Sequence, residues 1–197
     1  SYEDIEFILE SRTLNLTLAN EGMSGRYGLK VGHALRKDEN REVFGDDFHS
    51  YAMAMTAAAS DARMAGCTLA AMSNSGSGNQ GIACSIPVYL YAQENHSAQQ
   101  DLLRALAISN VTVIYMKQSL GRLSALCGCV VAATGSAAGI TYLMGGQYTE
   151  ITYAIKNMIA NISGMICDGA KPGCSLKVTS GVMTAVLSAT LAMQHRV

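Results

Sequence analysis

Apolar residues recur at helical spacing along most of the chain, and this periodicity limits the fold more than any other feature. In the clearest stretch they fall at offsets 0, 4, 7, 8, 11, 14 and 15 from Ile151, which is one face of a helix reaching Ile166. Alternating β-branched residues are scarce, and the two prolines are Pro87 and Pro172. We therefore predict an all-α fold, a single multi-helix domain with Gly-rich connecting loops that covers residues 1–197.

Other segments share this helical pattern, and turn-forming residues separate them. Ser97-Ala-Gln-Gln100 resembles a capping box, which would open a helix running toward Met116. The remaining helices are predicted at residues 4–20, 50–66, 80–94, 122–143 and 176–194. The predicted breaks lie at Gly22–Gly28, Gly76–Gly81, Gly145–Gly146 and Asp168–Gly173.

Composition and charge exclude several classes of function. The 197 residues are 49% hydrophobic with a net charge of −1, so the chain can bury a core but has no basic stripe for nucleic acid. Residues 123–146 carry no charge, which approaches the length of a membrane span. Their many Gly, Ser and Thr residues favour a buried central helix instead. The acidic N-terminal sequence lacks the pattern of a secretory signal, so we expect a cytoplasmic protein without a membrane partner.

The six cysteines divide into two groups. Cys67 and Cys84 have small or apolar neighbours and are predicted to be buried residues in a reducing compartment. The other four are Cys127, Cys129, Cys167 and Cys174. Their spacing lacks the paired C-x-x-C pattern of structural zinc sites, whereas iron–sulfur ligands often come from distant segments. Metal binding, packing and redox chemistry all remain open on spacing alone.

A glycine-rich loop, AMSNSGSGNQG at residues 71–81, is the second unusual stretch. Its three glycines let a ligand approach the backbone, and a helix starting near Gln80 would offer free N–H groups to an anion. The loop lacks the Gly-Lys-Ser/Thr of a P-loop, and its spacing differs from the dinucleotide-binding fingerprint. A small carboxylate would fit. A flexible linker is the alternative, which the apolar neighbours disfavour.

Three motifs, SNSGSGNQGI, RLSALCGC and GMICDGAKPGCSLKV, resemble the serine dehydratase alpha-chain family, and most closely its L-cysteine desulfidase branch. NLTLANEGMSGRYGLKVG and AAASDARMAG extend the resemblance over nearly the whole chain. The resemblance implies an all-helical catalytic domain with an oxygen-sensitive [4Fe-4S] cluster held by three cysteines, one iron remaining open. By motif position the ligands would be Cys127, Cys167 and Cys174, with Cys129 as the alternative to Cys127.

This resemblance implies β-elimination from a small amino acid. L-cysteine would give pyruvate, ammonia and sulfide, with the open iron as a Lewis acid for the leaving group. The alternatives are an L-serine dehydratase, an inactive module that binds a small amino acid, and a zinc-stabilised helical domain. The substrate would contact the loop residues Asn74, Ser75, Gly76, Ser77, Gly78, Asn79 and Gln80.

The general base is not assigned by the resemblance. Candidates are Lys171, Lys177, His33 and His49. In the SDARM motif, Asp61 and Arg63 would either pair with each other or hold the substrate.

Family members are roughly twice as long as this chain. Their N-terminal half carries a further cysteine motif that has no counterpart here, and LAMQHRV at residues 191–197 resembles the middle of a helix. We therefore expect a fragment whose main partner is the missing N-terminal half. Loss of the cluster and of activity in the isolated piece is expected, as is self-association through exposed apolar surface, including a possible homodimer.

Overall fold

The described part of the chain is almost entirely helical. The computed structural model describes residues 2–121 and 124–197, in which a 3-10 helix at Glu3–Leu9 precedes nine α-helices. These are α1 (Glu10–Gly22), α2 (Val31–Leu35), α3 (Asp38–Phe44), α4 (Phe48–Met64), α5 (Gly78–Glu94), α6 (Gln99–Leu120), α7 (Gly128–Leu143), α8 (Tyr148–Ile162) and α9 (Cys174–Met193). The prediction of an all-α single domain is confirmed.

Helix α7 lies at the centre of the fold and packs against α5, α6, α8 and α9. Every residue from Cys129 to Thr141 is buried. Small residues allow these close contacts: a Cβ on Gly135 would collide with the Ser109 carbonyl oxygen of α6, and one on Gly181 of α9 would meet Ala133. Most of the uncharged stretch, Gly128–Leu143, is therefore a core helix, as its composition indicated.

Helix α4 forms a second centre and packs against α1, α2, α5 and α9. It is rich in alanine, and its residues from Ala52 to Ala62 are all buried. Gly22 of α1 and Gly32 of α2 both press against the α4 backbone near Ala58. Small side chains on both partners thus set the distance between these helices.

The prediction was wrong about where α7 begins. Residues 122 and 123 of the predicted helix lie outside the described residues, and Ser124–Cys127 is not helical. Leu126 instead forms an isolated antiparallel bridge with Ile166. Since a helix and this bridge need different backbone conformations, α7 starts at Gly128 and α8 already ends at Ile162.

The predicted capping box at Ser97–Gln100 was also wrong. Helix α6 begins at Gln99 after Ala98, which makes no side-chain cap hydrogen bond. The Ser97 backbone N–H donates to the carbonyl of Ala92, so Ser97 closes the turn after α5 rather than capping α6. A capping box is present instead at Gln147 and Glu150, where α8 begins.

Two short helices, α2 and α3, were missed within the segment between the first two predicted helices. At 5 and 7 residues they are too short for a clear apolar period, and α3 has no buried residue. The predicted helix 4–20 is divided into the 3-10 helix and α1, which meet between Leu9 and Glu10.

Helix α9 is long and apolar enough to cross a membrane by length and composition. In its most apolar window 44% of the residues are buried inside the domain, where α4, α7 and α8 contact it. Core helices of globular proteins pass the same test, so this feature is weak evidence for a membrane span.

Candidate functional site

One open cleft of about 600 Å³ brings together the glycine loop and four cysteines. Its walls come from the ends of α4 and α6, the start of α5, and the segments that lead into α7 and α9. The lining residues are Arg63, Gly76, Ser77, Asn79, Gln80, Lys117, Ser124, Leu126, Cys127, Gly128, Cys129, Cys167, Gly169, Ala170 and Cys174.

A tight turn positions the start of α5 in this cleft. Asn74 and Ser77 exchange two backbone hydrogen bonds of 3.1 and 3.0 Å, and the two residues between them, Ser75 and Gly76, both have positive φ. This is the pattern of a type I′ turn. The Asn74 side-chain amide donates to Oδ1 of Asn110 on α6 at 2.8 Å, and the Ser75 hydroxyl donates to Oδ1 of Asn74. The turn is thereby fixed to α6.

Backbone pairing holds two of the cysteine segments side by side. The Cys127 N–H donates to the Met165 carbonyl at 2.9 Å, and the Cys167 N–H donates to the Ala125 carbonyl at 2.8 Å. These bonds flank the bridge between Leu126 and Ile166. Residues 40 positions apart in sequence thus meet at one side of the cleft.

The loop between Cys167 and Cys174 is fixed by charge. Asp168 forms ion pairs with both Lys171 and Lys177, which hold the pKa of its carboxyl well below the usual range. Lys177 also donates to the Ile166 carbonyl at 2.9 Å, and the Cys174 thiol donates to the Gly169 carbonyl. The two lysines considered as bases are therefore engaged in holding the loop.

The thiols of Cys127 and Cys129 influence each other directly. Hydrogen bonding from the Cys129 thiol, followed by the backbone amides of Cys129 and Val130, lowers the pKa of Cys127 to about 6. The same hydrogen bond, together with burial, raises the pKa of Cys129 well above its usual value. Cys127 is therefore the thiol of the pair that ionises more readily, and the thiolate is the form that binds metals.

The cleft favours negative charge. Three helices begin at it: Ser77 is the N-cap of α5, Cys127 is the N-cap of α7, and Cys174 is the first residue of α9. Helix N-termini carry partial positive charge and free N–H groups. Arg63 and Lys117 are the basic side chains of the described lining, and no carboxylate is found among the described lining residues.

The structure brings together most of the residues that the sequence singled out. Gly76, Ser77, Asn79 and Gln80 line the cleft together with Cys127, Cys167 and Cys174. Cys129 lines it too.

Three loop residues have other surroundings. Asn74 faces Asn110, and Ser75 lines a neighbouring cleft that shares Gly76 and Lys117 with this one. Gly78 lies beneath the side chain of Arg63.

The remaining two cysteines are away from the cleft lining. Cys84 is fully buried, and burial raises its pKa to about 12. Cys67 is partly buried against the main core. The prediction of a buried packing residue agrees with Cys84, whereas Cys67 is only partly buried, and all six cysteines are free thiols.

Lys117 is a cleft residue that the sequence analysis missed. It lies on the buried face of α6, four residues after Val113 and eight after Ser109, and it is itself buried. A lysine on the buried stripe of a helix is the signal that could have identified it, since lysine is among the residues most rarely buried.

Asp61 does not pair with Arg63. It is fully buried, and its Oδ2 accepts the Gly32 N–H at 3.1 Å. Burial raises the pKa of its carboxyl. Asp61 therefore joins α4 to α2, and Arg63 is left facing the cleft.

The histidines considered as bases lie elsewhere. His33 Nδ1 is 3.0 Å from the Met23 carbonyl oxygen, and His49 Nε2 is buried with no hydrogen-bond partner among the described residues. Neither residue belongs to the described cleft lining.

The donor set fits a cluster better than a single ion. Within residues 2–121 and 124–197, no three His, Cys, Asp or Glu side chains are close enough to hold one metal ion. A four-iron cluster binds each cysteine through a different iron, so its ligands stand farther apart and can come from distant segments. Thiols at several sides of a cleft where three helices begin suit such a negatively charged group.

Comparison with known proteins identifies the family. The family model for the serine dehydratase alpha chain matches residues 1–197. UPF0597 proteins are similar in sequence: the one from Phocaeicola vulgatus is 56% identical over 195 residues, the one named BF3560 from Bacteroides fragilis 57% over 194, and the one from Clostridium perfringens 48% over 193. Each match covers 98% of this chain but 45% of the relative.

The chain thus spans a little under half the length of these relatives. No solved structure matches it. The family model covers every residue, including both cysteine segments and the glycine loop that form the cleft, and the chain therefore belongs to the serine dehydratase alpha-chain family.

Proposed function

We propose that this chain is the cluster-binding part of a lyase that converts L-cysteine to pyruvate, ammonia and sulfide. One observation carries the proposal. Cysteines from three separate segments and the glycine loop surround the same cleft, although the segments are up to 98 residues apart (174 − 76 = 98). Family membership supports a lyase-type role for such a site.

A [4Fe-4S] cluster would be held by Cys127, Cys167 and Cys174. The lowered pKa of Cys127 favours its thiolate, and Cys174 lines the same cleft at the start of α9. Cys129 would then support Cys127 as a hydrogen-bond donor rather than act as a ligand. When bound, such a cluster supplies a Lewis-acidic iron for the β-substituent of the substrate.

The reaction is an elimination followed by hydrolysis. A base takes the proton from Cα, the electrons of that C–H bond form the Cα–Cβ double bond, and the sulfur leaves as sulfide with a proton. The aminoacrylate released takes up one water and gives pyruvate and ammonia. The protein must hold the carboxylate and ammonium so that the Cα–H bond faces the base.

Among the described cleft residues, Lys117 is the amine that could accept this proton. Lys171 and Lys177 are held by Asp168, as described above.

L-serine is the second candidate substrate, because the family model is that of a serine dehydratase. The same elimination would then release water instead of sulfide. A soft thiolate leaving group suits iron better than a hydroxyl, which is why L-cysteine is our first choice.

Iron and acid-labile sulfide analysis after anaerobic purification tests this proposal. In the full-length polypeptide we expect about four irons per chain, lost in Cys127→Ser, Cys167→Ser and Cys174→Ser but kept in Cys129→Ser. Cys67→Ser, outside the cleft lining, is the matched control. Zinc in place of iron, or iron retained in all variants, would contradict the ligand set.

A pyruvate assay with L-cysteine and L-serine, run on the loaded protein, separates the two substrates. Because the relatives are about twice as long, the assay should include the full-length polypeptide. We propose that this polypeptide acts in the cytoplasm and that its remaining half is the main partner of this chain. Tight amino-acid binding without turnover in the full-length form would favour a binding module instead.

A further inference from the structure

The side chain of Arg63 is a cation without a described counterion. It lies at the end of α4, is partly buried and lines the cleft. Within residues 2–121 and 124–197 no carboxylate is within ion-pair distance of its guanidinium. A partly buried guanidinium is normally paired with an anion, because its planar group matches a carboxylate with two parallel hydrogen bonds.

The position of Arg63 makes the absence of a described counterion more destabilising. Its side chain crosses the first residue of α5 so closely that a Cβ on Gly78 would overlap with Arg63 Nε. A cation at a helix N-terminus is repelled by the partial positive charge there. An anion bound between the guanidinium and the N–H groups of α5 would be attracted to both and would offset this repulsion.

Two acceptors in the same wall also lack partners. Asn79 and Gln80 are only 5% and 6% exposed, and both line the cleft. Asn79 Oδ1 and Gln80 Oε1 are buried without a hydrogen-bond donor among the described residues. A buried, unpaired carbonyl oxygen is destabilising, and a donor supplied by a ligand would relieve this cost.

These groups have the chemistry that a small zwitterion requires. Gly78, Asn79 and Gln80 are consecutive, so the anion-binding guanidinium and the two acceptors are neighbours at one helix start. The four thiols line the same cleft, with Cys127 and Gly128 leading into α7. Gly128 is near the Gln80 side chain: a Cβ there would be 2.9 Å from Gln80 Nε2.

We propose that Arg63 binds the carboxylate of a free α-amino acid, while Asn79 Oδ1 and Gln80 Oε1 accept hydrogen bonds from its ammonium. The side chain of the amino acid then extends toward the cysteines. This inference rests on the proposed function for the identity of the reacting β-substituent, but the binding of the two charged groups can be tested without turnover.

Calorimetric titration with L-alanine is the test, because L-alanine has both charged groups and no leaving group. Propionate lacks the ammonium and L-alaninamide lacks the carboxylate. We expect L-alanine to bind and both analogues to bind far more weakly. The titration should be run on this chain and on the full-length polypeptide.

Arg63→Gln should weaken L-alanine binding by about tenfold to a hundredfold, the effect of losing a hydrogen bond to a charged group. Arg63→Lys should retain part of the affinity for L-alanine. Gly78→Ala should also weaken binding, since it displaces Arg63 and keeps the charge. Arg104→Gln, on the exposed side of α6, is the control and should bind normally. Circular dichroism melting shows whether each variant folds.

The outcomes separate this inference from the proposed function. Pyruvate formation with a KM for L-cysteine unchanged in Arg63→Gln would overturn the subsite and leave the function standing. Arg63-dependent binding of L-alanine by a cluster-loaded full-length polypeptide that turns over neither L-cysteine nor L-serine would support the subsite and contradict the function. Propionate binding as tight as L-alanine binding would show a simple anion site and overturn the ammonium contacts.

Discussion

The neighbouring thiols of Cys127 and Cys129 show how one hydrogen bond can assign different roles to similar residues. In sequence the two cysteines are nearly equivalent, separated by a single glycine. In the structure Cys127 precedes the first turn of α7 and Cys129 lies within it, and the backbone amides of Cys129 and Val130 help to lower the pKa of Cys127. The hydrogen bond from the Cys129 thiol, together with the start of the helix, therefore favours ionisation of Cys127 first.

Replacing Cys129 should change the reactivity of Cys127 in the metal-free protein. Cys129→Ala removes the thiol donor, so the pKa of Cys127 should rise from about 6 toward its usual value. The thiolate fraction at pH 7 would fall, and alkylation of Cys127 by iodoacetamide should slow several-fold. Mass spectrometry of peptides alkylated between pH 5 and 9 measures the midpoint pH at which Cys127 becomes reactive.

Cys129→Ser is the matched variant, because its hydroxyl can still donate. It should keep the midpoint of Cys127 closer to that of the unmodified protein. Cys84, with a pKa of about 12 and no exposure, should stay unmodified in all folded variants. An unchanged midpoint in Cys129→Ala would mean that the backbone amides alone hold the thiolate.

Site residues could be predicted from the sequence where the residue type itself indicates the chemistry. They were predicted less well where the role depends on which way the backbone directs the side chain. Cysteine and glycine motifs pointed to Cys167 and Gly76, which line the cleft. Asn74 has the same polar character as Asn79 but faces α6, because the type I′ turn reverses the chain between them. No local pattern encodes which side of a turn faces a cleft formed by distant segments.

At the scale of helices, periodicity predicted the long elements and failed at their ends. The apolar period over residues 151–166 continued past the end of α8 because Met165 and Ile166 extend the pattern. Ile166 is 67% exposed and belongs to the bridge with Leu126. That bridge is a contact between residues 40 positions apart, and local periodicity carries no information about it.

The close packing of α1 on α4 gives a test at this scale. A Cβ on Gly22 would overlap with the carbonyl of Ala58, which is backbone and cannot rotate away. Gly22→Ala should therefore lower the free energy of unfolding by about 1–3 kcal/mol, the usual cost of overpacking. Urea denaturation followed by circular dichroism measures the change.

Gly164→Ala is the control for this substitution. Its Cβ would meet nothing within 4 Å, so the same change in residue type should have little effect. Equal destabilisation by the two variants would mean that backbone flexibility, rather than the α1–α4 contact, explains the loss. A neutral Gly22→Ala would show that α1 can move away from α4 at little cost.

The whole molecule has apolar surface that its own helices leave uncovered. The outer stripe of α9, formed by Leu176, Met183 and Leu187, is about half exposed, and α9 has one charged residue, Lys177. The relatives extend well beyond the region that this chain matches. A stripe of this kind, uninterrupted by charge over most of a helix, favours association in water.

The isolated chain should therefore self-associate through the outer stripe of α9. Sedimentation velocity should show species larger than a monomer that increase with concentration, because burial of the stripe removes apolar surface from water. The double variant Met183→Lys/Leu187→Lys should sediment mainly as a monomer. Val43→Lys/Phe44→Lys on α3 replaces two residues that are at least as exposed and should leave the association unchanged. A monomeric parent chain, or dissociation caused by the α3 variant alone, would show that this stripe does not drive assembly.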